Sequence, residues 1–353
     1  MGNNKILLGI LCNETDDDHL FWVKACQKIG NKVEYHLISF TAHDWLKEVN
    51  AHPFDCLLAK PSGVSSQFKQ LYDERIHILA QLGKKVYPSP QEIYIYENKR
   101  YFYSWAAAHM LPHPKTKVFY FSGEAIDFAR IATYPIVAKS NIGASGSGVK
   151  ILKKKEEALL YIQNCFAGKG APKRWGPNTE KGDWLNRGMQ YVLNPSRIVK
   201  KAKIYQHRKG DVQKGFVIFQ EYVAHDFEWR VVAIGDSYFA HKKLKMGEKA
   251  SGSLLKKYDN PPIKILHFAK NVMEKFGFYS QAIDILETRS GAYLINEMQC
   301  IFGQSDPYQM LVDGTPGRYR FLNKEWVFEE GDFNTNASFD LRLQHIIDQL
   351  EQT

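Results

Sequence analysis

Cysteine is scarce in this 353-residue chain: the five present, Cys12, Cys26, Cys56, Cys165 and Cys300, are odd in number, far apart and form no C-x-x-C pair. That excludes a disulfide framework and a cysteine zinc site, and fits a reducing cytoplasm. Long apolar runs are missing as well. The opening "ILLGILC" (6–12) is too short to span a membrane and is followed by "NETDDD", so it reads as a first β-strand. Gly2 lacks the Ser or Thr four residues on that myristoylation prefers. No internal repeat or low-complexity tract occurs. Acidic residues are thin in one place: residues 166–215 hold three (Glu180, Asp183, Asp211) against twelve Lys and Arg, an excess equal to the formal net charge of +9 for the whole chain. With 44% hydrophobic residues the remainder is ample for two or three globular domains.

Two familiar phosphate loops are also absent. "KSNIGASGSG" (139–148) fits a Walker loop from Gly143 to Gly148, but the lysine that should follow is Val149. The dinucleotide fingerprint starting at Gly146 and Gly148 meets Ile151 where its third glycine belongs. On either side lie β-like segments, "YPIVAK" (134–139) and "GVKIL" (148–152). A glycine-rich loop between two short strands reads as a flap folding over a nucleotide; a flexible linker is the other reading these residues allow.

Strands at 5–12, 32–38 and 54–60 alternate with helices at 16–30 and 66–82, which predicts a parallel α/β domain ending at "YPSPQ" (87–91). A helix at 97–109 leads to the flap, and the last 140 residues read as antiparallel β with a helix at 262–275. Two hairpins there carry chemistry. In "EWRVVAIGDSYFAHKKL" (228–244) a turn at Gly235-Asp236 sets Glu228 opposite Lys243 and Arg230 opposite His241, all on one face, as a solvated ion pair or as part of a site. In "AIDILETRSGAYLINEMQ" (282–299) a turn near Ser290-Gly291 sets Asp284 opposite Glu297, with Gln299 beside it. Opposed carboxylates repel unless a cation lies between them, and bound Mg²⁺ is the economical solution. Asp284→Asn is then expected to leave the metal-free fold as stable or slightly more so. The histidines, among them His109, His113, His225 and His267, sit in ordinary polar or helical contexts and suggest no nucleophile–histidine pair.

With these motifs in one order along the chain, residues 86–305 resemble the ATP-grasp superfamily of carboxylate–amine ligases, in particular its glutathione-synthetase and glutamate-ligase-like branch. The resemblance implies an N-terminal α/β domain (1–95) followed by a two-lobed ATP-grasp fold, of mixed α/β and α+β class. The central lobe would span 96–220, with the flap and a basic insert at 166–215; the C-terminal lobe, 221–353, would carry the metal site, the hairpin "GRYRFLNKEWVFEE" (317–330) and a helix. It implies ATP with Mg²⁺, or Mn²⁺ in its place. Lys99 and Lys139 match the nucleotide lysines, and Gly143, Ser145, Gly146, Ser147 and Gly148 the flap. In "FQEYV" (219–223) Gln220, Glu221 and Val223 would meet the adenine, and Glu228 the ribose. Arg230 would steady the transferred phosphate with Lys243 beside it, and Asp284, Glu297 and Gln299 would hold the metal. The family commonly reads Glu-x-Asn where this chain has Glu297-Met298-Gln299, a third ligand one methylene longer.

The implied reaction joins a carboxylate to an amine through an acylphosphate, releasing ADP and phosphate. A kinase without ligation is one alternative. A nucleic-acid binder with a vestigial nucleotide domain is another, since Phe166, Trp175, Trp184, Tyr191 and Tyr205 interleave the basic insert. The partners implied are an anionic acceptor, small or a short polymer, and an amine; a homodimer is compatible, and no membrane is involved. The insert is either a solvated loop or a segment that orders on a polyanionic acceptor.

Overall fold

The structure, a computed structural model, describes residues 5–15, 17–63, 65–143, 148–170, 211–246, 249–250, 255–302 and 306–352. The N-terminal sheet is β1 (Ile6–Cys12), β2 (Val33–Ser39), β3 (Cys56–Ala59) and β4 (Val86–Tyr87), all parallel in the order β2-β1-β3-β4. Helices α1 (Leu20–Ile29), α2 (Trp45–Asn50) and α3 (Ser66–Gln81) join the strands. Parallel strands covered on both faces need continuous apolar sequence, which "ILLGILC" and "CLLA" supply. α2 and β4, too short for a periodic pattern, add to the predicted elements. α4 (Pro90–Ile95) starts with a capping box in which Ser89 and Glu92 each accept from the other's backbone N–H.

The central lobe begins with α5 (Lys99–Ala108), capped by Asn98, whose side chain accepts from the Tyr101 N–H. Then follow β5 (Thr116–Phe119), α6 (Ser122–Ile131), β6 (Ile136–Lys139), β7 (Val149–Leu152), α7 (Lys155–Phe166) and β8 (Val217–Glu221). The strands form an antiparallel sheet, β5-β8-β6-β7. α6 and α7 bury Ala125, Ala129, Ala158 and Ile162 against Ile136, Val217 and Phe219. Lys139 pairs with Val149, so the glycine-rich segment is the loop of a hairpin. At its base the Ser140 N–H donates to the Gly148 carbonyl at 2.7 Å. A Cβ on Gly148 would lie 1.6 Å from Ser140 Oγ, so no other residue fits there without a shift. Of the expected flap, Ser145, Gly146 and Ser147 lie outside the described residues, as does most of the basic insert, 171–210.

The largest sheet gathers β9 (Phe227–Ile234), β10 (Ser237–Met246), β11 (Lys249–Ala250), β12 (Lys256–Lys257), β13 (Ser280–Glu287), β14 (Tyr293–Gln299), β15 (Leu311–Val312), β16 (Thr315–Leu322) and β17 (Glu325–Glu330). Its main order is β14-β13-β9-β10-β16-β15. Helix α8 (Ile263–Phe276) and α5 cover one face, burying Trp105, Ile265, Leu266 and Ala269 against Trp229, Val231, Ile283 and Ile285. The alternate residues of β9, Glu228 and Arg230, therefore point to the opposite face. Further along that face Val232, Ile234, Phe239 and Ala282 form a separate apolar cluster with Phe302 and Met310.

The final helix α9 (Phe339–Glu351), expected within the C-terminal lobe, packs into the N-terminal core. Phe339 stacks on Phe21 at 5.1 Å and meets Trp22 edge-on at 4.8 Å. No described helix is long and apolar enough to cross a membrane.

Candidate functional site

The polar face of β9, β10, β13 and β14 looks toward the end of β6 and the start of α5. The observed register pairs Glu228 with Lys243 and Arg230 with His241 across β9 and β10, and Asp284 with Glu297 across β13 and β14. Nearer the turn, Ile285 pairs with Ile295, which leaves Asn296 as an extra residue in β14. The predicted opposition of Asp284 and Glu297 thus arises from a register at the turn that differs by one residue and a β-bulge that restores it. Its consequence is local. Ile295 and Met298 both join the apolar core, while Asn296 and Glu297 both reach the polar face.

The side chains there form one network. Arg230 donates to Asp284 through Nε at 2.8 Å and Nη2 at 2.9 Å, a bidentate pair. Lys243 Nζ lies between Asp284 Oδ2 at 2.6 Å and Glu228 Oε2 at 2.8 Å. Glu228 Oε1 accepts from Asn296 Nδ2 at 2.8 Å. Asn296 Oδ1 accepts from Lys139 Nζ at 2.7 Å, and Lys139 also donates to Tyr103 Oη at 2.6 Å. Tyr103 in turn donates to the Asn296 carbonyl at 2.9 Å. Lys99 Nζ pairs with Glu297 Oε1 at 3.0 Å and lies 3.3 Å from the Gly143 carbonyl it bonds, while the Gly143 N–H donates to Glu97 at 2.9 Å. The helix cap on Asn98 and the hairpin base at Ser140 hold the two lysines on facing elements.

The electrostatics separate the two lysines. For Lys99, burial disfavours the charge, but Glu297 and Glu97 outweigh it and hold the group above its ordinary pKa. Lys139, equally buried, is pushed down to about 8, chiefly by desolvation. Its two partners are neutral, and among the described residues no carboxylate lies within ion-pair distance of it. Burial works against ionised Asp284, yet Arg230 and Lys243 hold its carboxyl well below the usual carboxylate range. Glu297 is likewise lowered against burial, mainly by Lys99.

These contacts correct one expectation. The cations that relieve the opposed carboxylates belong to the chain itself: Arg230 and Lys243 for Asp284, and Lys99 for Glu297. Asp284 is 1% exposed with both oxygens engaged, so its loss removes a buried partner rather than a repulsion. The donor set still has the chemistry of a hard-cation site. Asp284, Glu297 and Gln299 offer oxygen ligands, and Gln299 follows Glu297 by two on the same strand and hence the same face. Glu221 stands apart: its carboxylate accepts from the Lys115 N–H at 2.8 Å on the β5 edge. Gln220 is buried and donates to Thr116 at 2.9 Å, and the Val223 carbonyl accepts from His225 Nδ1 at 2.7 Å. Asn296, Tyr103 and Glu97 were not predicted. The one signal for Asn296 was two adjacent polar residues, Asn296-Glu297, inside a strand.

No protein-family description and no curated sequence matches the chain. Solved structures do. D-alanyl-alanine synthetase A from Vibrio cholerae aligns with a TM-score of 0.56 at 13% identity, over 98% of this chain and 99% of that one. D-alanine–D-alanine ligase from Bacillus anthracis gives 0.53 at 12%, over 98% of both chains. Carboxyaminoimidazole ribonucleotide synthase from Aspergillus clavatus, complexed with ATP, gives 0.55 at 11%, over 98% of this chain and 78% of that one. At such identities the likeness speaks for architecture, and the architecture is a parallel α/β domain followed by two antiparallel lobes that enclose a charged face: the chain has the ATP-grasp fold.

Proposed function

We propose that the protein is an ATP-dependent ligase joining a substrate carboxylate to an amine, with ADP and phosphate as products. The observation that carries this reading is the buried network of Lys99, Lys139, Arg230 and Lys243 with Glu228, Asp284 and Glu297, set between a glycine-rich hairpin and a sheet face. The Aspergillus synthase of the same fold was solved with ATP, which supports a nucleotide at this position.

In this reading a carboxylate oxygen of the acid attacks the γ-phosphorus and the bond to ADP breaks. The amine nitrogen then attacks the acyl carbon, phosphate leaves with the bonding electrons, and the nitrogen loses its proton. The chain supplies position and charge rather than a nucleophile. Lys139, with no carboxylate to neutralise it, meets the phosphates, and Lys99 closes the hairpin side through Gly143. Arg230, anchored through Nε and Nη2 on Asp284, faces charge developing on the transferred group. Lys243 bridges Glu228 and Asp284. Each charge-assisted hydrogen bond to phosphate contributes about 1.5–3 kcal/mol. Asp284, Glu297 and Gln299 would hold Mg²⁺, which neutralises phosphate charge when bound.

Incubation with ATP, Mg²⁺ and pools of acids and amines, followed by nucleotide analysis, tests this. ADP and phosphate should appear in equal amounts and depend on both an acid and an amine. AMP with pyrophosphate, or a phosphorylated product that persists without any amine, overturns it.

A further inference from the structure

We propose that Asn296 is a positioning residue that holds Lys139 by a neutral tether, so that its full charge is available to an anionic phosphate chain; the proposal rests on the nucleotide reading above. Three observations carry it. First, the β14 bulge lies at this residue and turns Asn296 to the polar face beside Glu297; a regular strand that kept Glu297 on that face would send Asn296 into the apolar core with Met298. Second, the orientation of its amide is fixed by its partners: Lys139 can only donate, so it takes Oδ1, and Glu228 here accepts, so it takes Nδ2. Third, Lys99 and Lys243 are each paired with a carboxylate, whereas Lys139 is bonded to an amide and a phenol oxygen.

An aspartate at 296 would fill the same space and still accept from Lys139, but as a carboxylate. It would cancel the lysine charge within a direct ion pair and face Glu228 with like charge. Asparagine holds the same position without neutralising the lysine and ties Glu228 by the other end of the amide. One side chain thus spaces the lysine proposed for the phosphates from the acid proposed for the ribose.

Calorimetric titration with Mg-ATP and with adenosine tests the assignment in Asn296→Asp and Asn296→Leu. Asn296→Asp should weaken ATP about 10- to 100-fold, the worth of one or two charge-assisted bonds, while adenosine binding changes by less than threefold. Asn296→Leu removes both hydrogen bonds without setting a counter-charge against the lysine, and should weaken ATP less than tenfold. A purely structural role predicts the reverse order, because aspartate is the closer isostere. ATP binding equal to wild type in Asn296→Asp, or a greater ATP loss in Asn296→Leu than in Asn296→Asp, overturns the proposal. So does an equal loss of ATP and adenosine in either variant, and if Asn296→Asp does not fold, Asn296→Leu alone decides by that criterion. Wild-type protein that binds no ATP overturns the nucleotide reading itself, and the role of Asn296 with it.

Discussion

Replacing Asp284 by asparagine is a strong test of how the site is built. The carboxylate is almost fully enclosed, meets Arg230 at 2.8 and 2.9 Å and Lys243 at 2.6 Å, and lies in the middle of the largest sheet. Asparagine has the same shape, but its amide N–H groups would face a guanidinium or ammonium donor, and two buried cations would lose their shared counter-charge. Breaking a buried pair in this way costs about 3–5 kcal/mol. The contrast is the exposed pair of Lys28 and Asp340, 2.8 Å apart at the surface, whose removal should cost less than about 1 kcal/mol. The loss also has a pH signature. The folded-state pKa of Asp284 lies below its unfolded value of about 3.9, so its contribution is complete above that value and is lost as pH falls toward the folded pKa. Hydrogen exchange of the peptide covering Phe227–Ile234 reads the local opening free energy without requiring the domains to unfold together. At pH 7 the variant should open more easily by the stated amount, and the gap should narrow below pH ~4. A variant within about 1 kcal/mol of wild type at pH 7 refutes the buried-pair account and restores simple carboxylate repulsion.

Mg-ATP at a hundred times its dissociation constant should stabilise the protein by about 2.7 kcal/mol, and Lys139→Ala should reduce that at equal ATP concentration, measured by thermal shift. His241 is fully buried, and burial together with neighbouring Arg230 pushes its pKa down to about 3. The unfolded chain then binds a proton that the folded one does not, so wild-type stability should fall as pH drops from about 6.5, and His241→Gln should flatten that slope by up to about 1.4 kcal/mol per pH unit in urea titrations. Gly148→Ala places a Cβ against Ser140 and should open the base of the hairpin, weakening ATP binding in calorimetry while far-UV circular dichroism stays unchanged. An unaltered ATP affinity in Gly148→Ala would remove the hairpin base from the site.

Much of this arrangement is legible in sequence because strand pairing is arithmetic. Gly235-Asp236 marks a two-residue turn, and the side-chain period of two then fixes Glu228, Arg230 and Lys243 on one face. Helices with clear amphipathic spacing fall close to their predicted bounds: Ser66–Gln81 against 66–82, and Ile263–Phe276 against 262–275. The second hairpin is more instructive. Its key pair is legible, but the register at the turn differs by one residue from the simple arithmetic and the bulge compensates, so Asp284 and Glu297 face each other as expected while Asn296 stays hidden. The counter-charges of those carboxylates were hidden for another reason. Lys99 reaches Glu297 across 198 positions of sequence, a tertiary contact that no local pattern encodes. The same holds for α9, whose amphipathic stripe says that it packs but not against which core.

That last contact bears on how the chain is made. Lys28 and Asp340 are 312 positions apart, so the ribosome delivers the whole N-terminal sheet long before Phe339 arrives to cover Phe21 and Trp22. This α/β domain leaves the exit tunnel before the two antiparallel lobes and yet is completed only after them. Until then its aromatic surface is exposed to chaperones and to other nascent chains, which makes the α/β domain, rather than the two antiparallel lobes, the vulnerable part of synthesis.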